Sequence, residues 1–290
     1  MLPLTRIVVP INFSEQCRGM LRYARVVAEK YNAETTLLHV VNPVYPIPAT
    51  GISGPGLVAA SPTSIAAKTE EMATFGADEL AGIAVRRLVY EGEPVEQIVG
   101  YIKAEGVQLV AMPTHGLGVL RRFLLGSVTA KVLHDVDCPV LTGVHMDVPP
   151  TDTPVTFTNI LCALDLGEQS TATLAWAVRF ARDFDARLSI VHAAPALPYP
   201  LEQPLGSDWK TDVESAARGA LKELQATVQS DASDIYVQAG DAAKTVCSFA
   251  RSTGADLVVI GRGSQAGIAG KLRTNAYAII RDSPCPVVSV

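Results

Sequence analysis

The chain has 290 residues, 48% of them hydrophobic and 18% charged, with a formal net charge of −5. That is long enough for two domains with real cores, and it excludes a disordered chain and a dedicated duplex nucleic-acid binder, which needs a basic face. The opening MLPLTRIVVP has no charged segment before a signal-length apolar core, and no apolar run approaches a membrane span. The five cysteines form no CxxC pair, which argues against a disulfide framework or a zinc site, so a reducing, cytoplasmic setting is expected.

Taken in order, the first half alternates strand and helix patterns. Leu4–Pro10 is an apolar strand, and a helix is predicted from Ser14 to about Tyr31, with Met20, Ala24, Val27, Ala28 and Tyr31 on one face. Glu34–Val41 is a second strand. Asn42–Pro62 is rich in Pro, Gly and Ser and reads as an excursion over the surface, followed by a helix predicted from Thr63 to Ala84. Arg86–Tyr90 is a third strand, and Glu91-Gly92-Glu93-Pro94 is a turn whose proline opens a helix to about Lys103. Val107–Met112 reads as a fully buried fourth strand, Val128–Asp135 as a short helix, and Cys138–Thr142 as a last strand. Gly143–Phe157 has three prolines and no periodicity, and reads as a linker.

After the linker the order begins again. Asn159–Leu164 is a strand, Gln169–Phe184 a helix, and Arg187–Ala193 repeats the second strand. Asp165 follows Asn12, and His192 follows His39, by the same 153 places. Pro195–Pro204 repeats the proline-rich excursion, Gly240-Asp241 repeats Gly92-Glu93, and Asp256–Ile260 repeats the buried fourth strand. Cys285-Pro286-Val287 repeats Cys138-Pro139-Val140. Matches that stay in register along the whole length mean a duplicated domain. The expected domains are residues 1–143 and 158–290. Apolar strands alternating with helices imply a parallel sheet covered on both faces, so each half is expected to be a five-stranded doubly wound domain.

The stretch Met112–Ser127 carries the chemistry. It leaves a buried strand, holds Gly116, Gly118, Arg121 and Arg122, and reaches Gly126-Ser127 at a helix start. Glycines let backbone approach a ligand, and free amides at a helix N-terminus point at negative charge. The stretch reads either as an anion cradle or as a plain Gly-Ser cap with two solvated arginines. In doubly wound sheets, ligands bind where strand order reverses, beyond the carboxyl ends of the strands. If order reverses between strands one and four, Pro10–Ser14, with Pro10, Ile11 and Asn12, faces this loop, and a nucleotide becomes the better reading. His39 and His192, at matched strand ends, are expected to make a shared structural hydrogen bond. Cys17, near the site, is a candidate redox-sensitive thiol, its exposure being open.

These residues resemble the universal stress protein family in its tandem form. "VVPINFSEQCRGMLRYA" is similar to the family's V-P-x-D-x-S start, and "THGLGVLRRFLLGSVTAKVLHDVDCPVL" is similar to its G-x2-G-x9-G-S/T loop and ending. The resemblance implies a five-stranded parallel domain with strand order 3-2-1-4-5, an adenine-nucleotide alpha-hydrolase-like fold. It implies ATP, with or without Mg2+, held in the first half. The family's first-strand acid falls on Asn12, and the backbone facing adenine falls on Val40. The loop glycines fall on Pro113 and Gly116, and the phosphates fall to Gly126 and Ser127, with the amide of Val128 beside them. Met112, His115 and Arg121 complete the candidate set with Pro10 and Ile11. Two positions depart from the pattern. Asn12 keeps an acceptor and loses a charge, and Pro113 removes a backbone N–H.

The second half keeps an acid, Asp165, its one candidate residue, but Arg273-Thr274 stands where Gly126-Ser127 stood. A bulky arginine there obstructs the family's phosphate pose, so this site is expected to be degenerate. The alternative is side-chain capture of a phosphate by Arg262, Lys271 and Arg273. Gly261-x-Gly263-x-x-Ala266 only superficially matches a dinucleotide fingerprint, because no acid ends a following strand. No G-x-x-x-x-G-K-S/T motif is present and no carboxylate lies within Met112–Ser127, so a nucleotide-binding regulator with at most slow hydrolysis is expected. The rival is a nucleotide-free interaction module, an internal pseudo-dimer pairing Val140–Thr142 with Val287–Val290, with a homodimer left open. A carrier of an apolar ligand under the excursions is a third reading.

Overall fold

A computed structural model describes residues 4–42, 65–114, 125–143, 154–194, 209–230, 232, 234–262 and 274–290. The first half runs β1 (Arg6–Pro10), α1 (Glu15–Tyr31), β2 (Glu34–Val41), α2 (Ile65–Thr74), β3 (Val85–Glu91), α3 (Pro94–Glu105), β4 (Leu109–Pro113), α4 (Ser127–Asp135) and β5 (Val140–Gly143). The second runs β6 (Asn159–Ala163), α5 (Ser170–Phe184), β7 (Arg187–Ala194), α6 (Trp209–Val228), β8 (Asp234–Ala239), α7 (Ala242–Thr253), β9 (Leu257–Ile260), α8 (Thr274–Asp282) and β10 (Val287–Ser289).

Local chemistry accounts for the element ends. Ser14 caps α1, its hydroxyl accepting from the Cys17 amide at 3.4 Å, and Asn32 closes the helix in the left-handed region. Glu93 caps α3 by accepting from the Glu96 amide at 2.8 Å, with Pro94 in the first turn; Asp241 caps α7 in the same way, accepting from Lys244 at 2.8 Å. The helix predicted over Thr63–Ala84 stops at Thr74. Gly76, at φ +69°, turns the chain so that Phe75 and Leu80 point into the core. A Cβ at Gly76 would sit 2.2 Å from Leu21 Cδ1, so the turn also depends on close packing against α1. The proline-rich stretches over 42–62 and 195–204 lie, apart from Asn42, outside the described residues.

All ten strands form one sheet, in the order β3-β2-β1-β4-β5-β10-β9-β6-β7-β8. Within each half the strands are parallel in the order 3-2-1-4-5, reversing between the first and fourth. The halves join antiparallel through their last strands, with Leu141 opposite Val288 and Thr142 opposite Val287. Two edges that would template foreign strands thus close on each other.

The helices continue the join. Phe157, expected in a linker, is 2% exposed and packs against Phe180 and Phe184 at 5.4 and 5.2 Å between ring centroids, with Tyr23 of α1 at 6.1 Å. Gly143, the other end of that segment, belongs to β5. The Tyr31 hydroxyl donates to Asp183 at 2.8 Å, while Lys30 lies 5.7 Å from the centre of the Phe184 ring. Tyr31 and Phe184 are repeat-related, as are Lys30 and Asp183. The two pairs are therefore the two sides of one two-fold contact whose chemistry has diverged.

Candidate nucleotide site

The first-half site sits where strand order reverses, at the carboxyl ends of β1, β2 and β4. Pro10, Ile11, Asn12, Val40, Met112, Pro113, Gly126, Ser127 and Val128 line one cavity of about 270 Å³ with Cys17, Leu38, His39, Pro94, Ile98 and Thr129. His115, Gly116 and Arg121, with Gly118 and Arg122, lie outside the described residues.

Three anchors hold the site. The Asn12 side-chain oxygen accepts from the Ser14 amide at 3.1 Å and from the Cys17 thiol at 3.1 Å. Cys17 is buried, and burial pushes its thiol above the ordinary range, opposing the thiolate that redox chemistry requires. The thiol instead donates to Asn12 and holds that side chain in place. His39 Nδ1 lies 2.8 Å from the Ile11 carbonyl; that oxygen only accepts, so Nδ1 carries the proton. Burial lowers the His39 pKa, which favours the neutral ring. The Thr129 hydroxyl donates to the Pro113 carbonyl at 3.1 Å, pinning the first turn of α4 to the end of β4.

The mouth of α4 is the candidate anion-binding feature. Gly126 is its cap residue, at φ −59° and ψ 144°, with no side-chain capping bond. The amide of Gly126 donates to the Thr114 carbonyl at 2.8 Å, so it is spent within the protein. The first intrahelical bond runs from the Ala130 amide to the Gly126 carbonyl, so the amides of Ser127, Val128 and Thr129 have no acceptor within the helix, and Ser127 is the exposed residue among them. A Cβ on Gly126 would meet the Thr114 oxygen at 3.4 Å, an ordinary contact, and the backbone angles suit any residue, so the fold itself does not demand glycine here.

One feature near the site carries no sequence signal. Phe13, a bulky residue, has φ 62°, and its repeat partner Leu166 has φ 58°. The left-handed turn directs the chain from strand end to helix start and places the Phe13 ring 4.6 Å from His39 and 5.2 Å from Phe75. Lys68 of α2 sits 4.5 Å over the same ring.

The second half builds the same turn with different walls. Asp165 accepts from the Gly167 amide at 2.8 Å and from the Ser170 hydroxyl at 3.1 Å, as Asn12 does from Ser14 and Cys17. His192 Nδ1 meets the Leu164 carbonyl at 2.8 Å, the counterpart of the His39 bond. Here the cavity is about 710 Å³, walled by Leu166 and by Val213, Ala216, Ala217 and Ala220 of α6. Gly261 follows β9 where Pro113 ends β4; a Cβ there would meet Thr173 Oγ1 at 2.8 Å. Lys271, Arg273, Gly263, Ala266 and the side chain of Thr274 lie outside the described residues.

Arg262, weighed as a phosphate ligand for the second half, is committed elsewhere. Its guanidinium donates to the carbonyls of Leu133, Val136 and Cys138 in the first half, at 3.2, 2.6 and 2.8 Å. Among the described residues there is no group of three His, Cys, Asp or Glu side chains placed to share a metal. No described helix is long and apolar enough to cross a membrane.

Comparison with known proteins agrees with the tandem fold. The model of the universal stress protein family matches twice, over residues 3–142 and 156–290. A universal stress protein of Methanocaldococcus jannaschii is 30% identical over 142 residues, 47% of this chain and 79% of that protein. Universal stress protein A homolog 1 of Coxiella burnetii is 28% identical over 138 residues, 46% of this chain and 96% of that protein. Among solved structures, a universal stress protein from Archaeoglobus fulgidus has a TM-score of 0.69 at 22% identity, covering 98% of this chain and 95% of its own. The chain therefore belongs to the universal stress protein family, with two copies of the family's domain in tandem.

Proposed function

We propose that this protein is a stress-response regulator that binds an adenine nucleotide, ATP, in its first half, while the second half lacks a matching phosphate cradle. One observation carries the reading. Segments far apart in sequence, Pro10–Asn12, Val40, Met112-Pro113 and Gly126–Val128, meet around one cavity at a helix mouth with no side-chain cap. An uncapped helix start with exposed amides suits a phosphate. At about 270 Å³ the described cavity is near the lower end of small-molecule sites, roughly 300 Å³ and up, which suits a base and ribose with the phosphates along the α4 mouth. A magnesium ion would come with the triphosphate, its ligands being phosphate oxygens and water.

The reading assigns positioning to Asn12 and Val40, anion binding to the Ser127 and Val128 amides, and access to Gly126. Titration calorimetry with ATP tests it: binding near one per chain is expected, and no binding of ATP or ADP at millimolar concentration overturns it. Pro113, which removes a backbone N–H where the family pattern has glycine, favours a second reading, a nucleotide-free interaction module of the same fold. Mass spectrometry of small molecules released gently from the purified protein separates the two.

A further inference from the structure

α4, the helix whose mouth forms the first-half cradle, is held at its far end by the other half of the chain. Arg262 leaves β9 of the second half, is largely buried, and spreads its guanidinium over three first-half carbonyls. Nη1 donates to Leu133 and Val136, and Nη2 to Cys138. These carbonyls belong to the last turn of α4 and the segment leading into β5. Helix C-termini leave carbonyls without intrahelical donors and carry the negative end of the dipole, and a planar five-donor cation answers both.

By the repeat, position 262 corresponds to Thr114, whose hydroxyl donates to the Gly143 carbonyl of its own half at 2.9 Å. The second half's matching helix, α8, is served from within: Arg251 of α7 donates to the Asp282 carbonyl at 3.0 Å. Lys103 occupies the position of Arg251 in the first half, so the fork at the end of α4 comes from across the join. At the other end of α4, the Tyr277 hydroxyl of α8 approaches the Leu125 carbonyl at 3.4 Å, one residue before Gly126. The second half thus touches the cradle helix on both flanks. Ile260 and Gly261, the residues before Arg262, line the second-half cavity.

We propose that Arg262 is a positioning residue through which the second half sets the cradle helix of the first. This explains why an arginine beside a degenerate site is turned away from it. The proposal rests on the nucleotide reading for its effect on binding, but not for its effect on α4.

The test uses the full chain with Arg262→Met, which keeps the stem and removes the donors, and Arg262→Lys, which keeps the cation and loses the fork. Hydrogen exchange is measured without nucleotide. Arg262→Met is expected to speed exchange of the Ala130–Val136 amides ~10-fold or more, with α8 and β7 unchanged, and Arg262→Lys to fall between it and wild type. ATP affinity is expected to fall several-fold while adenosine affinity holds, because only the phosphates use the helix mouth. Unchanged exchange in α4, or equal acceleration across both halves, overturns the proposal. So does equal loss of ATP and adenosine binding. If Arg262→Met does not fold, the Lys variant decides by the same two readouts. A wild-type chain that binds no ATP removes the nucleotide reading and leaves exchange to decide whether Arg262 holds α4.

Discussion

The two halves keep one scaffold and differ in what they place upon it. Asn12 with Cys17, and Asp165 with Ser170, build the same acceptor turn from different atoms. Phe13 and Leu166 enter the same left-handed conformation, and His39 and His192 make the same 2.8 Å bond to the turn. The walls diverge. The first half sets the Phe13 and Phe75 rings beside its turn and keeps a glycine at the helix mouth. The second lines a wider cavity with alanines and sends its arginine across the join. The comparison teaches that the turn is scaffold, shared by the strand-to-helix passage in both halves, whereas the walls around it are the part that has diverged.

The largest expected effect comes from removing what the halves share. Phe180 is 2% exposed and packs against Trp176, Phe157 and Phe184. Phe180→Ala should cost about 3–5 kcal/mol by denaturant unfolding. A cost under about 1 kcal/mol would mean that this aromatic cluster contributes little to stability.

A smaller effect tests the equivalence of the turns. Cys17→Ser should leave stability and ATP affinity close to wild type, since Ser170 fills that role in the second half. Cys17→Ala should cost about 1–2 kcal/mol and weaken ATP several-fold by releasing Asn12. Equal behaviour of the two variants would show that Cys17 is only packing.

The smallest effect is in pH. Burial lowers the His39 pKa in the folded chain below its ordinary value of 6.5, so the unfolded chain binds the proton more readily. The contribution is complete above about pH 6.5 and is lost as pH falls below it. His39→Gln should therefore flatten the acid side of the stability profile. A variant profile parallel to wild type below that pH would contradict the assignment.

Much of this was legible in the sequence because it depends on local chemistry or on the repeat. Ser14, Pro94 and the Gly92 and Gly240 turns mark helix starts, and equal spacing brings out the matched histidines. The reversal of strand order brings Asn12 to the same cavity as Met112, Pro113 and the start of α4 at Gly126. What stayed hidden depends on contacts across the join. Phe157 sits in an aperiodic, proline-rich stretch, and only the packing of α5 on α1 makes it core. Arg262 reads as a phosphate ligand until the antiparallel register of β5 and β10 brings the end of α4 within its reach. Phe13 and Leu166 give no hint of positive φ, because that conformation is expected of glycine or asparagine.

The most direct measurement is the stoichiometry of ATP binding to wild type and to Gly126→Arg. The arginine's backbone is compatible with the Gly126 angles, so the variant should fold with stability within about 1 kcal/mol of wild type, while its side chain crowds the Ser127 and Val128 amides. The account predicts one ATP per wild-type chain and at least ~10-fold weaker binding to the variant. Two ATP per chain, or an affinity untouched by Gly126→Arg, would contradict it.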